Sequence, residues 1–310
     1  MLITKEKHYN TLNNYYQKKY GKKVFKVSLN AGFTCPNIDG TVAYGGCSFC
    51  SAFGSGEFAG SKYDLLQTQF DSVKKRMLNK WPDAYYIPYF QANTNTHAPL
   101  EKLKSLFEEA IRLDENIVEI SIGTRPDCLP DDVITYLSEL NTRIPVQIEL
   151  GLQSIHEETA VLVNRAHDLK TFDSAVKRLR DNQIEVVVHV INGLPNESKE
   201  MMFETIKHLN TLDIQGIKIH MLNILSNSKM GVEYKKNPFQ LISRDEYIEI
   251  VVHQIRLLKK DIIIHRLTGD GDAKYLIEPK WIMKKFTVLN DIDKMMRNHN
   301  FFQGDLYEKE

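Results

Sequence analysis

From residue 24 onward the chain alternates two hydrophobic patterns. Short runs rich in β-branched and aromatic residues at 24–29, 84–91, 117–123, 144–150, 184–191 and 214–222 read as strands. Between them, apolar positions recur every three or four residues. Leu66, Phe70, Val73 and Met77 set this spacing in the stretch from Leu65 to Leu78, which stops at Trp81-Pro82, and it returns over 100–112, 131–140, 157–164 with 169–181, and 199–210. Six strands in strand/helix alternation predict a parallel sheet with right-handed crossovers. Several strands are apolar on both faces, as buried parallel strands are. Periodicity alone leaves an open sheet and a barrel equally open.

Upstream, residues 5–20 predict a polar, Tyr-rich helix with Tyr9, Leu12, Tyr16 and Tyr20 on one stripe, packed on the domain as an N-terminal flap. After His220 the pattern changes: 223–243 reads as a loop rich in Asn, Ser and Lys, 244–259 as an amphipathic helix, and 261–267 as one further strand. Beyond it, Lys280, Lys284, Lys285 and Arg297 lie beside Trp281, Phe286 and Phe302. Interleaved basic and aromatic residues suit stacking and phosphate contact with a nucleic acid, or a helix that packs its aromatics inward and solvates its lysines.

Composition narrows this picture. A chain of 310 residues with 42% hydrophobic content can bury a full core, and 40 basic against 40 acidic residues give zero formal charge. Any nucleic-acid partner therefore has to be held by a local patch. The first residues, MLITKEKHYNTLNNYYQKKYGKK, lack the apolar core of a signal peptide, and no run approaches the ~18 apolar residues of a membrane span. Four cysteines, three of them clustered, speak against a secreted disulfide framework, so the cytoplasm is the expected compartment and no membrane partner is expected.

Those three cysteines lie in the loop Asn30 to Gly56, as Cys35, Cys47 and Cys50 in a C-x11-C-x2-C spacing among Gly40, Gly45 and Gly46. Thiolates in a loop that can fold back on itself are what a soft metal centre requires. Three do not complete a four-coordinate site. Structural zinc wants four closed ligands, whereas a [4Fe–4S] cluster held by three cysteines leaves one iron open. Zinc completed by a distant histidine, or unliganded thiols in a reducing cytosol, are the competing readings.

Chemistry in such a parallel architecture belongs at the C-terminal ends of the strands. Asn93 and Asn95 fall there in a polar run that can receive an ammonium or merely cap a turn. Arg125 and Asp127 read as an ion pair or as ligand contacts, and Cys128 as a packed thiol or a rim residue. Glu149 ends an apolar strand, where a carboxylate can take both hydroxyls of a ribose or pair with an internal arginine. Gly193 and Leu194 form a turn whose backbone can approach a flat base. Lys218 and His220 share one face of the sixth strand, for substrate binding, proton transfer or simple filling of the interior.

The context GFTCPNIDGT…GGCSFC, with Phe49 inside its C-x-x-C, resembles the cluster loop of radical S-adenosylmethionine (SAM) enzymes of the Elp3-like branch, and within it the YhcC/YtqA-like bacterial family. The P-x-W…K…VLN…I…QG string near the C-terminus resembles the same family, so the likeness covers nearly the whole chain. It implies an α/β fold, a partial (β/α)6 TIM-like barrel with an N-terminal helix over 1–222, and an α-rich C-terminal extension over 223–310 that packs on the barrel and contacts substrate or RNA. It implies Cys35, Cys47 and Cys50 as ligands of a [4Fe–4S] cluster whose fourth iron SAM chelates. ELGLQS and NRAH resemble SAM-binding stretches, adding Gln153 and Arg165 to Glu149, and Gly193-Leu194-Pro195 resembles the adenine-side turn. The Gly-Gly-Glu run that binds the SAM amino group in that pattern is replaced here by Asn93 to Thr96.

The activity so implied is reduction of the cluster by a one-electron donor such as flavodoxin or ferredoxin, cleavage of SAM to methionine and a 5′-deoxyadenosyl radical, and hydrogen abstraction from substrate. Lys218, His220 and Cys128 are the candidates for the catalytic rim. Elp3-like relatives point to a tRNA partner and a wobble uridine whose C5 side chain is taken from carboxymethylaminomethyl to aminomethyl. Radical chemistry on a tetrapyrrole, small metabolite or protein is the alternative enzyme, and a metal-stabilised RNA-binding module the alternative without catalysis.

Overall fold

The computed structural model describes residues 2–51, 56 and 59–308. The last stretch of the cysteine loop, residues 52–55, lies outside them. All six expected strands form: β1 (Val24–Leu29), β2 (Tyr85–Phe90), β3 (Ile120–Thr124), β4 (Val146–Gln153), β5 (Glu185–Asn192) and β6 (Gly216–Met221). A short β7 (Ile224–Leu225) follows, then β8 (Ile263–Arg266) and β9 (Leu276–Glu278). Strands β1 to β6 pair in chain order, all parallel, and β8 joins β6 as a seventh. This is a curled partial barrel rather than a flat sheet, as the likeness to radical SAM enzymes implied.

Helices α2 (Leu66–Leu78), α3 (Leu100–Ala110), α4 (Asp131–Asn141), α5 (Glu157–Leu162), α6 (Leu169–Asp181) and α7 (Lys199–Thr211) make the crossovers. Their apolar stripes cover the outer face of the strands, where Ile120, Ile122, Val146, Ile148, Leu150, Val186, Val188, Ile217 and Ile219 join Phe107, Leu137, Phe172, Val176 and Ile206 in one buried cluster. The inner face alternates to polar residues: Lys26, Ser28, Ser121, Gln147, Glu149, His189, Lys218, His220 and His265. The two-sided apolarity expected of the strands therefore holds less well than the sequence suggested, because this barrel encloses a polar cavity instead of a packed interior.

Between the two edge strands sits the N-terminus. Helix α1 is shorter than the expected 5–20, spanning Leu12–Tyr20, because Thr11 caps it by accepting from the Asn14 N–H. The residues before it are irregular and run beside β8, with Thr11 forming an isolated bridge to Ile264 and the Asn10 carbonyl accepting from the Ile264 N–H at 2.8 Å. Rather than a flap, α1 is a plug. Tyr16 is buried against Val24 and Ile87, and Tyr16, Tyr20 and Lys19 all donate to the buried Glu119 at the entry to β3.

The C-terminal part shares the barrel's core. Helix α9 (Arg244–Leu257) begins with a capping box of Ser243 and Glu246, and α10 (Lys285–Asn298) sends Val288, Ile292 and Met296 into the main cluster. The stretch read as a loop, 223–243, contains helix α8 (Lys229–Lys236), capped by Ser228, and β7, which pairs antiparallel with β9. Of the aromatic residues singled out there, Trp281 packs on Tyr247 and Phe302 stacks on His8, while Phe286 stays 71% exposed. Among the described residues no helix is long and apolar enough to cross a membrane.

Candidate active site

The cysteine loop is pinned at the C-terminal end of the barrel by its own backbone and by the segment after α5. The Cys35 carbonyl accepts from Ile38 and Asp39, and the Asn37 carbonyl from Gly46 at 2.7 Å. Asn37 Nδ2 donates to the Asn164 carbonyl at 2.6 Å, and Asn164 Nδ2 returns a bond to the Gly46 carbonyl at 2.8 Å. Gly46 sits at φ 73°, where a Cβ would also press on Ile38 at 3.2 Å, so this tight return of the chain needs glycine.

The result places Cys35, Cys47 and Cys50 together on the wall of one cavity of about 420 Å³. A hydrogen bond from Cys50 draws the Cys47 thiol down to about 7 against the opposing effect of burial, with Arg125 adding to the pull. Cys50 is pushed up by the same bond and by burial. Asn37 Nδ2 also points at Cys47 Sγ, 3.5 Å away. Three thiols, one readily ionised, beside the guanidinium groups of Arg125 and Arg165 form a donor set that fits an anionic thiolate cluster. Among the described residues no three His, Cys, Asp or Glu side chains converge on a single ion. A four-iron cube takes each thiolate on a different iron, so it does not require that convergence.

Of the residues singled out from sequence, Asn93, Arg125, Glu149, Gln153, Arg165, Lys218 and His220 line this cavity with the cysteines. Asn93, at φ 62°, donates to the Phe33 carbonyl at 2.9 Å and so ties the loop to the end of β2. Arg125 forms a two-bonded pair with Asp127 (2.9 and 2.7 Å) and also donates to the Arg165 and Ala166 carbonyls. The Arg165 guanidinium donates to the Leu152 and Ser154 carbonyls, so both arginines brace the backbone beneath the thiols.

Five others lie off the cavity wall. Asn95 is buried, its amide bridging the Phe90 and Gly123 carbonyls at the ends of β2 and β3. Asp127 and Cys128 face a separate outward hollow beside α6, and burial pushes the Cys128 thiol up to about 12. Gly193, at φ 83°, makes the turn after β5, and Leu194 is buried against Val163 and Leu222.

Deeper in the cavity lies a cluster that the sequence only half revealed. Glu149 does not pair with Arg165; it accepts from Lys26, Lys218, Ser121 (3.0 Å) and His189 (2.7 Å). Burial alone would raise its carboxyl, but Lys218 and Lys26 more than reverse this and hold it ionised, well below the usual range. Lys218 is drawn down to about 7 by burial, with Glu149 opposing and Lys26 repelling. One carboxylate shared by two ammonium groups leaves the second under-compensated. His189, lowered to about 4 by burial and by Lys218, is a neutral donor to Glu149. Lys26, Tyr89, Gln147, His189 and His265 went unremarked in the sequence. The signal was there: each is a polar or phenolic residue at an alternate position of an otherwise apolar strand.

With the geometry in hand, the comparisons decide the family. Residues 41–209 match the radical SAM superfamily and 214–298 the radical SAM C-terminal domain. The chain belongs to the radical SAM superfamily. It is 50% identical over 304 residues to the uncharacterized protein YtqA of Bacillus subtilis, across 98% of this chain and 94% of that protein. A tRNA uridine(34) acetyltransferase of Methanocaldococcus infernus is 25% identical over 57% of this chain and 34% of its own length. The structure of Elp3 from the same archaeon superposes with a TM-score of 0.65 at 18% identity, covering 91% of this chain and 64% of that one, and so shares the fold. As a member of the superfamily this radical SAM chain is an enzyme that uses a [4Fe–4S] cluster and SAM.

Proposed function

We propose that this radical SAM enzyme acts on the C5 side chain of a tRNA wobble uridine, taking carboxymethylaminomethyl to aminomethyl. The bond from nitrogen to the carboxymethyl carbon breaks, water supplies an oxygen to that carbon, the two-carbon acid leaves as glyoxylate, and SAM, cleaved to methionine and 5′-deoxyadenosine, accepts the two electrons. The observation that carries the reading is the single cavity that starts at three thiols and ends on an excess of ammonium groups, a shape and charge suited to a side chain that ends in a carboxylate and is presented to a radical source. Its likeness to a tRNA uridine(34) acetyltransferase adds the tRNA partner. When bound, the cluster and SAM supply the hydrogen-abstracting radical.

The chain's own residues position and shield. Cys35, Cys47 and Cys50 ligate the cluster; Arg125 and Arg165 neutralise its charge and fix the backbone around it. Asn93 and Gln153, on the cavity wall, hold SAM, with the Asn93 side chain standing where an acidic residue would be usual, and the turn at Gly193 and Leu194 packs behind that wall. Asn95, Asp127 and Cys128 support this wall from behind. Residues 1–222 form the catalytic barrel, and 223–310 close it and offer Arg244, Lys280, Lys284 and the exposed Phe286 to the RNA. A flavodoxin or ferredoxin is the proposed donor, and the cytoplasm the proposed compartment.

Mass spectrometry of nucleosides from total tRNA of cells lacking the protein tests the reading. Carboxymethylaminomethyluridine should accumulate and its aminomethyl product disappear, with both restored on complementation; an unchanged profile refutes the tRNA assignment. Purified without oxygen, the protein should contain iron and sulfide. Cys47→Ala should abolish 5′-deoxyadenosine formation, and retained activity would refute the ligand assignment.

A further inference from the structure

The charges on the cavity wall do not balance. Arg125 is paired with Asp127, and Arg266 and Lys285 flank Asp270. Glu149 alone answers both Lys26 and Lys218. The two lysines are not equivalent. Lys26 spends its three N–H donors on Ser121 (3.1 Å), Gln147 (2.6 Å) and Glu149. Lys218 has Glu149 and one long contact, 3.4 Å to the Tyr89 hydroxyl, which leaves it a donor without a partner among the described residues.

Two residues along the same face of β6, His220 also lines the cavity, and its Nε2 is buried with no hydrogen-bond partner among the described residues. A buried, under-compensated ammonium next to an unpartnered imidazole nitrogen is costly unless something arrives to accept from both. The missing partner must be an acceptor and should be negative.

We propose that Lys218 Nζ and His220 Nε2 form an anion subsite that receives the carboxylate of the substrate side chain. This rests on the reading of that side chain as carboxymethylaminomethyl. The subsite discriminates substrate from product, because the aminomethyl product has lost the carboxylate and meets the same excess of positive charge with an amine. Substrate and product share the side-chain amine, so the carboxylate alone separates them: it places a second anion beside Lys26 and Lys218, and its loss leaves Glu149 alone with both again, so the pocket favours substrate entry and product release.

The carboxylate could instead be that of SAM, and the test separates the two. Anaerobically reconstituted enzyme is compared with Lys218→Met and Lys218→Arg. The methionine variant keeps a balanced Lys26–Glu149 pair and so should fold. At fixed ionic strength, acetate in place of chloride should raise the unfolding midpoint of the parent, leave Lys218→Met unmoved and act partially on Lys218→Arg. Calorimetry with 5-carboxymethylaminomethyluridine and 5-methylaminomethyluridine, which differ by the carboxylate, should show a preference of about 10- to 100-fold for the former that collapses in Lys218→Met, while SAM affinity stays level.

An equal acetate effect in parent and Lys218→Met overturns the subsite, as does an undiminished preference between the nucleosides. A parallel fall in SAM affinity assigns the anion to SAM and overturns the substrate assignment. A Lys218-dependent acetate effect with no binding of either nucleoside upholds the anion subsite and refutes the uridine reading.

Discussion

Glu119 and Glu149 are both buried carboxylates on the inner side of this barrel, one at the entry to β3 and one in the middle of β4. Glu119 accepts from two tyrosine hydroxyls, Tyr16 at 2.9 Å and Tyr20 at 2.7 Å, and from one ammonium, Lys19 at 2.6 Å. Glu149 accepts from two ammonium groups, a serine and a neutral histidine. The first site is charge-balanced, closed by α1 and remote from the thiols. The second carries an extra positive charge and opens onto the cavity. The same residue type thus serves as a plug in one layer and as a floor for chemistry in the next, and the difference lies in the count of cations, not in burial.

The largest expected effect follows from breaking the second site. Glu149→Gln strands Lys26 and Lys218 with no counter-charge, so the folded variant must either hold both charges buried or give up the Lys218 proton, which should cost about 3–5 kcal/mol at pH 6 in urea unfolding. Its pH dependence identifies the cause. Lys218 has a folded-state value near 7 in the parent, below the unfolded value, and loss of Glu149 lowers it further. Between the variant's value and 7, the variant's folded state has shed a proton that the parent retains, so its stability climbs faster with pH. The deficit should therefore be larger at pH 6 than at pH 8 and level above 7. His189, already neutral near 4, does not titrate in that window. A deficit independent of pH would show that Lys218 is not the stranded charge.

Glu119→Gln should be milder, about 1–3 kcal/mol, because Lys19 keeps 29% of its side chain exposed and can turn to water while the tyrosines still find an amide oxygen. Burial lowers Lys19 but Glu119 more than reverses this, so its contribution is fully present below the unfolded lysine range and is lost only as pH rises beyond it. This deficit should be flat from pH 6 to pH 8, and SAM cleavage should be unaffected. A slope like that of Glu149→Gln would erase the distinction between plug and floor.

How far the sequence exposed each site follows the same division. Strand order and the outer core were legible because apolar runs and helical stripes report burial against helices directly. Glu149, Lys218 and His220 stood out at strand ends or in alternation. Lys26, His189 and His265 did not, since a lone polar residue in an apolar run shows which face it occupies but not which strands close around it. The pairing of β8 with β6 and the curl of the sheet bring them together, and neither is local. Helix α1 was misjudged in its start because Tyr9 continues the aromatic stripe upstream of the cap at Thr11. Helix α8 was missed because Met230 is its only large fully buried side chain.

The smallest effect offers the closest comparison, since each carboxylate receives one hydroxyl that can be removed alone. Tyr16→Phe deletes the 2.9 Å donor to Glu119, and Ser121→Ala the 3.0 Å donor to Glu149. Each should cost about 1 kcal/mol of stability, the net value of one buried hydrogen bond. Their consequences for binding should part. Nothing in the Glu119 layer touches the cavity, so Tyr16→Phe should leave the acetate response unchanged. Ser121 also accepts from Lys26 at 3.1 Å, so without its hydroxyl Lys26 leans harder on Glu149. That draws the shared carboxylate away from Lys218 and leaves Lys218 freer to meet an anion. Ser121→Ala should therefore bind acetate more tightly by roughly two-fold, the scale of redistribution in a coupled polar network, although the variant is less stable. Weaker binding in Ser121→Ala would mean that the serine itself holds the anion, and would move the subsite from β6 toward β3.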